Sequence, residues 1–557
     1  MSTTATRPQR HSTARVLRSG AIVGLGTALS RATGLVRVAA ISYALGATTL
    51  AGVYTWSNET PNIVYELLLG GVLTATLVPQ FVRHLHDGDE DATSAVFTTA
   101  VLVLLGITVL AVVAAPLIVR LYLLQVHGEV KADQQELGVA FMRVFMPQML
   151  FYGITALATA ILQARQRFAA AALAPILNNL VVIGIFFSLP RLVDGPFTVR
   201  RVIHDDVLLL FIGLGTTAGI AAMGLSLLPA LRAARVRLRF LPDFGHAAVR
   251  RVMRLSGWTI GYVAANQVAL AVVIVLANGL KLNAGTGHGG SFVYFTAYLL
   301  FVLPYGLLAF PIMTAVAPEL AAAGRRRDPP ALRHRFARTL RLSLTVLIPA
   351  AAVAVALARP IVTAAMQRGA FTPADAKLVG DTLVGFAVGL PFFSTYLFAL
   401  RAFYSLDDTK TPFLVGCFQN AVNVALAFAL FDWLGIRGLA FAHTGAYAAG
   451  AAATLYLLNR RIGSLRGRGI GILGVRVVAV SAAAGTAAWL IGRAGSWATS
   501  GEAVASSLLG IGAAGVITIA GLSLLRVEEF SEVLGLVWRR LGRRKPAAAA
   551  VENGHDE

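Results

Sequence analysis

Residues 101–115 read VLVLLGITVLAVVAA, an apolar run that contains no charged residue. Polar and apolar residues do not alternate in it, as they would in a transmembrane β-strand. A run of about 20 apolar residues is long enough to cross a bilayer as a helix, and a helix satisfies its own backbone polar groups. The run is therefore predicted to be a membrane-spanning helix, and it decides the fold class.

Similar segments on both sides of this run fill most of the 557 residues. We predict an all-α polytopic membrane protein with about fourteen transmembrane helices. The predicted spans are 20–46, 52–82, 94–124, 137–163, 169–190, 206–231, 250–280, 291–323, 339–365, 379–404, 411–433, 436–459, 470–492 and 503–525.

The composition agrees with a membrane protein. Hydrophobic residues make up 57% of the chain and charged residues 13%, whereas soluble domains carry about 25% charged residues. The net charge of +21 would suit a nucleic-acid-binding protein, but in a polytopic membrane protein a basic excess marks the cytoplasmic loops. We therefore expect no nucleic-acid partner. The single cysteine, Cys417, allows no internal disulfide.

The basic residues also predict the orientation. Most of them fall in alternate loops, such as the clusters Arg232 to Arg254 and Arg325 to Arg341. The positive-inside rule places these loops and both termini in the cytoplasm. An even number of spans agrees with this, because it requires both termini to lie on the same side of the membrane. No cleavable signal peptide is expected, because residues 1–18 are basic and polar and no clear cleavage site follows. The predicted location is the plasma membrane.

A weak internal repeat suggests how the helices are grouped. Residues 74–81 read TATLVPQF and residues 314–320 read TAVAPEL. Either this match is a coincidence, or the chain contains two parallel six-helix lobes followed by two extra helices, an arrangement typical of transporters. The predicted domains are a basic cytoplasmic N-terminus (1–19), an N-lobe (20–235), a C-lobe (236–462), two C-terminal spans (463–526) and an amphipathic, then disordered, cytoplasmic tail (527–557).

Five motifs carry a resemblance to a known family. They are SRATGLVRVAAISYALGA (30–47), PNIVYELLLGGVLTATLVP (61–79), LPYGLLAFPIMTAVAPEL (303–320), RGAF (368–371) and RAFYSLDDTKTP (401–412). Together they resemble the MurJ (MviN) lipid II flippases of the multidrug/oligosaccharidyl-lipid/polysaccharide exporter superfamily. The resemblance covers nearly the whole chain.

The resemblance implies a function and a partner. The cargo would be lipid II, the undecaprenyl-pyrophosphate-linked peptidoglycan precursor, which moves from the inner to the outer leaflet by alternating access. Spans 1, 2, 7 and 8 would line a central cationic cavity, and spans 13 and 14 would form a groove for the lipid tail. The other expected partners are membrane lipids and cell-wall synthesis proteins.

Two arginines are the first candidate cargo contacts. Arg31 and Arg37 lie within the first span, and an ionisable group at bilayer depth is a functional candidate by default. Arginine binds phosphate oxygens through a planar fork and keeps its charge in a protein. The two residues are six positions apart, so an ideal helix turns them about 240° from each other. The alternative is that one of them snorkels or pairs with Glu59 or Glu66.

The second and eighth spans supply the other candidate contacts. Glu59 and Glu66 are two turns apart and share a face of their helix, with Asn62 near that face. Paired with an arginine, these carboxylates would form a charge latch or couple transport to protons; a structural ion pair is the alternative. Tyr298 is the predicted contact from the eighth span.

The chain departs from the family pattern at several cavity positions. Val38 follows the second arginine where the family usually has an acidic residue. Tyr298 and Leu299 stand where the family usually has an Asp-Arg pair before the proline of the LPYG motif. Fewer cavity charges indicate either a divergent flippase or a chain that no longer moves lipid II, and we favour the divergent flippase.

Other polar residues are given structural roles. Arg401 and Asp408 lie at a predicted cytoplasmic turn. Asp408 would cap the eleventh span, and Arg401 would pair with an aspartate. A further role for both residues is in an inner gate of the transport path. Asn420 and Asn423 are interpreted as interhelical hydrogen-bonding groups, with a cation site as the alternative. His443 is interpreted as an interior histidine.

The sequence lacks the motifs of the common enzyme classes. It has no nucleotide-binding P-loop, no clustered His/Cys set for a metal and no legible catalytic triad, so an enzyme is not expected and no cofactor or metal is predicted. The alternatives to a lipid II flippase are a flippase or exporter for another polyprenyl-linked glycan, and a non-transporting cell-wall scaffold.

Overall fold

The structure is a computed structural model. It describes residues 10–67, 77–128, 130–245, 257–279, 288–465, 467–495 and 499–530. Within these ranges, side chains are not described for residues 10–23, 79, 257–260, 467, 468 and 470.

The described residues form helices and no β-strand, apart from an isolated bridge between Thr48 and His288. The helices are α1 (Arg10–Leu45), α2 (Thr49–Tyr65), α3 (Val78–Asp87), α4 (Glu90–Tyr122), α5 (Val130–Phe145), α6 (Gln148–Ala164), α7 (Ala169–Leu192), α8 (Val199–His204), α9 (Asp206–Leu225), α10 (Leu227–Ala233), α11 (Gly257–Asn278), α12 (Gly290–Pro304), a π-helix (Tyr305–Ala309), α13 (Phe310–Arg325), α14 (Pro329–Ala356), α15 (Ala358–Met366), α16 (Pro373–Ala387), α17 (Leu390–Ser405), α18 (Lys410–Leu434), α19 (Ile436–Ile462), α20 (Gly467–Ala494) and α21 (Ser500–Leu524).

The predicted all-α membrane fold is confirmed. Every predicted span overlaps a helix or a broken helix pair. Among the described residues, ten helices are long and apolar enough to cross a membrane, or eleven if the pair α16 and α17, bent by 47°, counts as one span. The exact count of fourteen stays a prediction.

The apolar outer surface explains why this fold belongs in a bilayer. On α4, Val109, Leu110, Val113 and Leu117 are 58%, 66%, 72% and 71% exposed. These residues recur at helical spacing and form an apolar face with no protein partner among the described residues. A continuous exposed apolar face of this kind is unfavourable in water and favourable against lipid.

Several boundaries differ from the prediction. The first helix begins at Arg10 rather than at residue 20, so part of the predicted N-terminal segment is helical. The predicted span 291–323 is one rod interrupted by a π-helix between Pro304 and Phe310. The predicted span 52–82 contains residues 68–76, and the predicted tail contains residues 531–557; both lie outside the described residues.

The helices form two neighbouring groups. In the first part of the chain α1 packs on α7, α7 on α9, and α2 on α5 and α6. In the second part α11 packs on α18, α12 on α16, and α17 and α18 on α19. The two groups meet chiefly through α2 against α12, with smaller contacts from α1 and α11. A polar cavity lies along this meeting line.

The last two long helices lie outside these groups. Helix α20 packs on α14, and α21 packs on α15 and α20. A largely apolar groove of about 1050 Å³ lies between α14, α17, α19 and α20. The chain beyond α21 is fastened by Glu529, whose carboxylate lies 2.9 Å from the Arg341 guanidinium.

Candidate functional site

The central cavity has a volume of about 540 Å³ and lies between the two helix groups. Helices α1, α2, α7 and α9 form one wall, and α11, α12, α18 and α19 form the other. Its polar lining groups are Tyr54, Thr55, Asn58, Glu59, Glu66, Arg37, Asn178, Thr216, Asn266, Gln267, Tyr294, Thr296, Tyr298, Gln419, Asn420, Asn423, His443 and Tyr447. A polar chamber surrounded by apolar helices is the feature around which a transport site is built.

The charged groups of the cavity come from α1, from α2 and from Glu66, the residue directly after α2. Arg37, Glu59 and Glu66 all line it. Arg37 interacts electrostatically with Glu59, but no ion pair within 4.0 Å involves Arg37 among the described residues, and its buried Nε has no hydrogen-bond partner. A guanidinium that is not neutralised by a bonded carboxylate keeps its capacity to bind an anion.

The two carboxylates have different surroundings. Glu59 is half-buried, whereas Glu66 is exposed. Glu66 accepts a hydrogen bond of 2.9 Å from Nε2 of Gln267 on α11. This bond joins the two helix groups across the cavity. The spacing of two helical turns does place both carboxylates on the cavity wall, as their shared face requires.

The opposite wall carries amides and aromatic rings. Nδ2 of Asn420 donates to Oδ1 of Asn266 at 2.7 Å. The buried His443 ring lies 4.5 Å from the Tyr447 ring and 5.6 Å from the Tyr298 ring, measured between centroids. Neutral donors and acceptors beside aromatic faces fit uncharged polar parts of a ligand.

Two predicted contacts lie outside this cavity. Arg31 does not line it; its guanidinium packs against Gly306 in the π-helix, where any larger residue would overlap it. Asn62 is half-buried on α2 and does not belong to the wall formed by the described residues. An ideal helix turns Asn62 about 60° from Glu59, which takes it to the edge of the shared face.

The rotation of α1 is fixed by α7. Nδ2 of Asn179 donates to the carbonyl oxygen of Ser30 at 3.1 Å and contacts the Thr33 hydroxyl at 2.9 Å. Arg31 and Arg37 therefore point to different surroundings, in agreement with the 240° between them. Only the packing of α1 decides which of the two arginines meets the cavity.

The predicted turn residues lie at the end of α17 and the start of α18. Asp408 accepts a 2.9 Å hydrogen bond from the amide of Thr411 and a 2.8 Å bond from its hydroxyl, which satisfies a first-turn donor of α18. Arg401 lies 5.3 Å from the centroid of the Phe310 ring. Within the part of the chain that the structure describes, Arg401 therefore makes a cation–π contact and no ion pair with an aspartate, so the predicted pairing is wrong there.

One end of the cavity is closed by backbone contacts between the two groups. The amide of Gly289 donates to the carbonyl of Ala47 at 2.8 Å. Gly52 and Gly289 approach so closely that a side chain on either would overlap the other's backbone. The amide of Ala370 donates to the carbonyl of Tyr43 at 2.9 Å. Access between the groups at this end requires these contacts to separate.

Sequence reasoning missed several lining residues. Gln419, Tyr447 and Thr216 line the cavity, and none of them is among the predicted contacts. Gln419 and Asn423 are one helical turn apart, so a search for polar residues at helical spacing would have found Gln419. Tyr447 is one helical turn after His443, so the same search would have found it, whereas Thr216 carries no comparable signal.

An all-helical membrane fold with a polar chamber between two helix groups defines a membrane transporter. The comparisons with known proteins then identify the family. The model of the family described as "Lipid II flippase MurJ" matches residues 41–506, which is most of the chain. The chain belongs to the lipid II flippase MurJ family, as its motifs predicted.

Curated relatives and solved structures agree with this assignment. A probable lipid II flippase MurJ of Rhizobium meliloti (strain 1021) is 27% identical over 77% of each chain. One of Synechocystis sp. is 26% identical over 86% of this chain and 89% of its own. The fold is similar to a solved lipid II flippase MurJ in an inward closed conformation, with a TM-score of 0.71, 18% identity and coverage of 90% and 99%.

The fold extends to a wider superfamily. An inward-facing multidrug resistance MATE family transporter of the MOP superfamily is similar with a TM-score of 0.63 and 14% identity, over 78% of this chain and 96% of that one. At this identity the likeness concerns the fold alone.

Proposed function

We propose that this chain translocates lipid II from the inner to the outer leaflet of the plasma membrane by alternating access. It acts as a transporter and not as an enzyme. The observation that carries the proposal is Arg37, a guanidinium that lines the polar cavity between the two helix groups and forms no ion pair within 4.0 Å among the described residues. A diphosphate cannot be solvated by the bilayer core, and a guanidinium in a water-accessible chamber supplies the interaction that the lipid cannot.

The cargo contacts follow from the cavity wall. Arg37 binds the diphosphate, and Tyr298 and the amides of the opposite wall contact the uncharged glycan. Glu59 and Glu66 add negative charge beside the diphosphate, which weakens cargo binding. Arg31 and Asn62 reach the cargo only in a conformation in which α1 and α2 have moved.

The proposed domain organisation follows the two helix groups. The N-lobe (20–235) and the C-lobe (236–462) rock about the cavity, with both termini in the cytoplasm, as the basic loops favour. The closed end of the cavity, formed by Ala47 and Gly289, then faces the outer side of the membrane. The C-terminal pair (463–526) borders the apolar groove, which takes part of the polyprenyl tail.

Complementation tests the proposed function. The gene is expressed in a bacterial strain depleted of its own lipid II flippase, and growth and cell shape are followed. Rescue is the expected outcome. Failure of a chain that reaches the membrane in normal amounts would contradict the proposal and favour another glycan cargo or a scaffold.

The groove gives a prediction with a matched control on one helix. Val478 lines the groove, whereas Val475, one turn earlier on α20, is 71% exposed and outside it. Val478→Trp is expected to lower transport about tenfold, because the indole occupies space proposed for the lipid tail. Val475→Trp is expected to leave transport unchanged. Equal transport by the two variants would show that the lipid tail does not occupy the groove.

Glu66 gives a prediction about charge. A carboxylate in the cavity repels a diphosphate, so Glu66→Gln is expected to raise the translocation rate in reconstituted vesicles. Glu319→Gln, which changes an exposed carboxylate paired with Arg335, should leave the rate unchanged. Equal rates in Glu66→Gln and the wild type would show that the charge of Glu66 does not act on the cargo.

A further inference from the structure

A second polar pocket lies where α3 ends and α4 begins. Its volume is about 260 Å³, and it shares no described lining residue with the central cavity. The walls are α3, the first turn of α4, the end of α6 and the extended segment after α10. Its charged lining residues are Asp89, Glu90, Arg165 and Arg237, and His84 also lines it. Both signs of charge therefore meet in one small space.

The guanidinium of Arg165 is held in position by the backbone and, among the described residues, forms only a long ion pair with Glu90. Its Nη1 donates a 2.7 Å hydrogen bond to the carbonyl of Ala234. Its Nη2 lies 4.0 Å from a carboxylate oxygen of Glu90, which is longer than a hydrogen bond. The side chain of Glu90 is 51% exposed. The Arg165 guanidinium and the Glu90 carboxylate are therefore not in hydrogen-bond contact, and each can contact an opposite charge on a ligand.

The outer wall of the pocket is fastened to α4. The segment after α10 runs extended along the helix, and the Thr98 hydroxyl donates to the carbonyl of Arg239 at 3.2 Å and accepts from the amide of Leu241 at 3.3 Å. In this extended segment Val236 packs against the core, and Arg237, which alternates with it, is exposed and lines the pocket. The pocket is therefore a built feature of the fold.

One side of the pocket is apolar. Leu85 on α3 lines the pocket and is 44% exposed, and Val82, one turn earlier on the same helix, is 45% exposed. Apolar side chains beside a charged pocket, at the ends of membrane helices, match the boundary between headgroups and acyl chains. A water-soluble metabolite would make no contact with these apolar side chains.

We propose that this pocket binds a phospholipid whose headgroup carries a phosphate and a primary ammonium, as in phosphatidylethanolamine. Arg165 and Arg237 contact the phosphate through charge-assisted hydrogen bonds. Glu90 accepts from the ammonium, and the acyl chains lie along Val82 and Leu85. A purely anionic headgroup would meet repulsion from Glu90, and a quaternary ammonium has no N–H to donate to it.

Native mass spectrometry tests this assignment. The purified full chain is mixed with equal amounts of phosphatidylethanolamine, phosphatidylcholine and phosphatidylglycerol that carry identical acyl chains. We expect phosphatidylethanolamine to occupy the protein at least threefold more than either competitor. Equal occupancy by the three lipids would overturn the proposal.

Two neighbouring carboxylates provide a matched pair of variants. Glu90→Gln should lower phosphatidylethanolamine to the level of phosphatidylcholine, while Asp91→Asn should not, since Asp91 is 71% exposed and outside the pocket. Equal effects of the two changes would overturn the role of Glu90. Soluble phosphoethanolamine should bind at least tenfold more weakly than the lipid, and equal binding would show a site for a free phosphate compound instead.

Discussion

Arg37→Ala is expected to abolish rescue of a strain depleted of its lipid II flippase. The change removes the only guanidinium among the described cavity-lining residues. Loss of a charge-assisted contact to a diphosphate in a partly dry chamber costs about 3 kcal/mol, which corresponds to about a hundredfold in translocation rate. Membrane abundance of the variant, measured by immunoblot, separates loss of transport from loss of folding.

Two further variants sharpen this prediction. Arg37→Lys keeps the charge but loses the planar fork, so we expect a loss of about tenfold. Arg31→Ala removes an arginine of the same helix that packs on Gly306 outside the cavity, and its effect should be smaller than that of Arg37→Ala. A greater loss from Arg31→Ala would move the diphosphate site away from the position proposed here.

The second large effect is expected from locking the closed end. Thr48 and His288 face each other as an antiparallel bridge, and opposed residues in such a bridge have Cα atoms about 4.5–5.5 Å apart, within the range of a disulfide. Thr48→Cys with His288→Cys, in a Cys417→Ser background, should form a disulfide on oxidation. Because alternating access requires this end to open, transport should then fall to background and return on reduction.

The single variants provide the control for the lock. His288 lies 3.1 Å from the Asp375 carboxylate, so His288→Cys alone measures what loss of that pair costs. Thr48→Cys alone measures the effect of the other change. Full transport by a completely cross-linked protein would contradict opening at this end and, with it, the alternating-access cycle.

The fold could be predicted from the sequence because the apolar residues of each span are enough to make that span a helix. An apolar run such as 101–115 must be helical in a bilayer whatever its neighbours are. The interruptions could not be predicted so directly. The π-helix between Pro304 and Phe310 arises where proline removes backbone donors and the packing of α12 and α13 selects how the chain continues.

Part of the site could be predicted from residues taken one helix at a time. The spacing of Glu59 and Glu66 placed both on one face, and both line the cavity. The same reasoning could not choose between Arg31 and Arg37, since the choice depends on the hydrogen bonds of Asn179 to α1. The pairing of Gln267 with Glu66 joins helices 201 positions apart, and no local pattern reports such a contact.

Photo-cross-linking of lipid II to the cavity wall is the most direct test of the central claim, that lipid II passes through this chamber. A photoreactive residue replaces Tyr298 in the cavity (Tyr298→p-benzoylphenylalanine) or the lipid-facing Val109 (Val109→p-benzoylphenylalanine), and labelled lipid II is supplied to membranes. The account predicts cross-links at position 298 that disappear when Arg37→Ala is added, and few at position 109. Equal labelling at the two positions, or labelling at 298 that does not depend on Arg37, would contradict it.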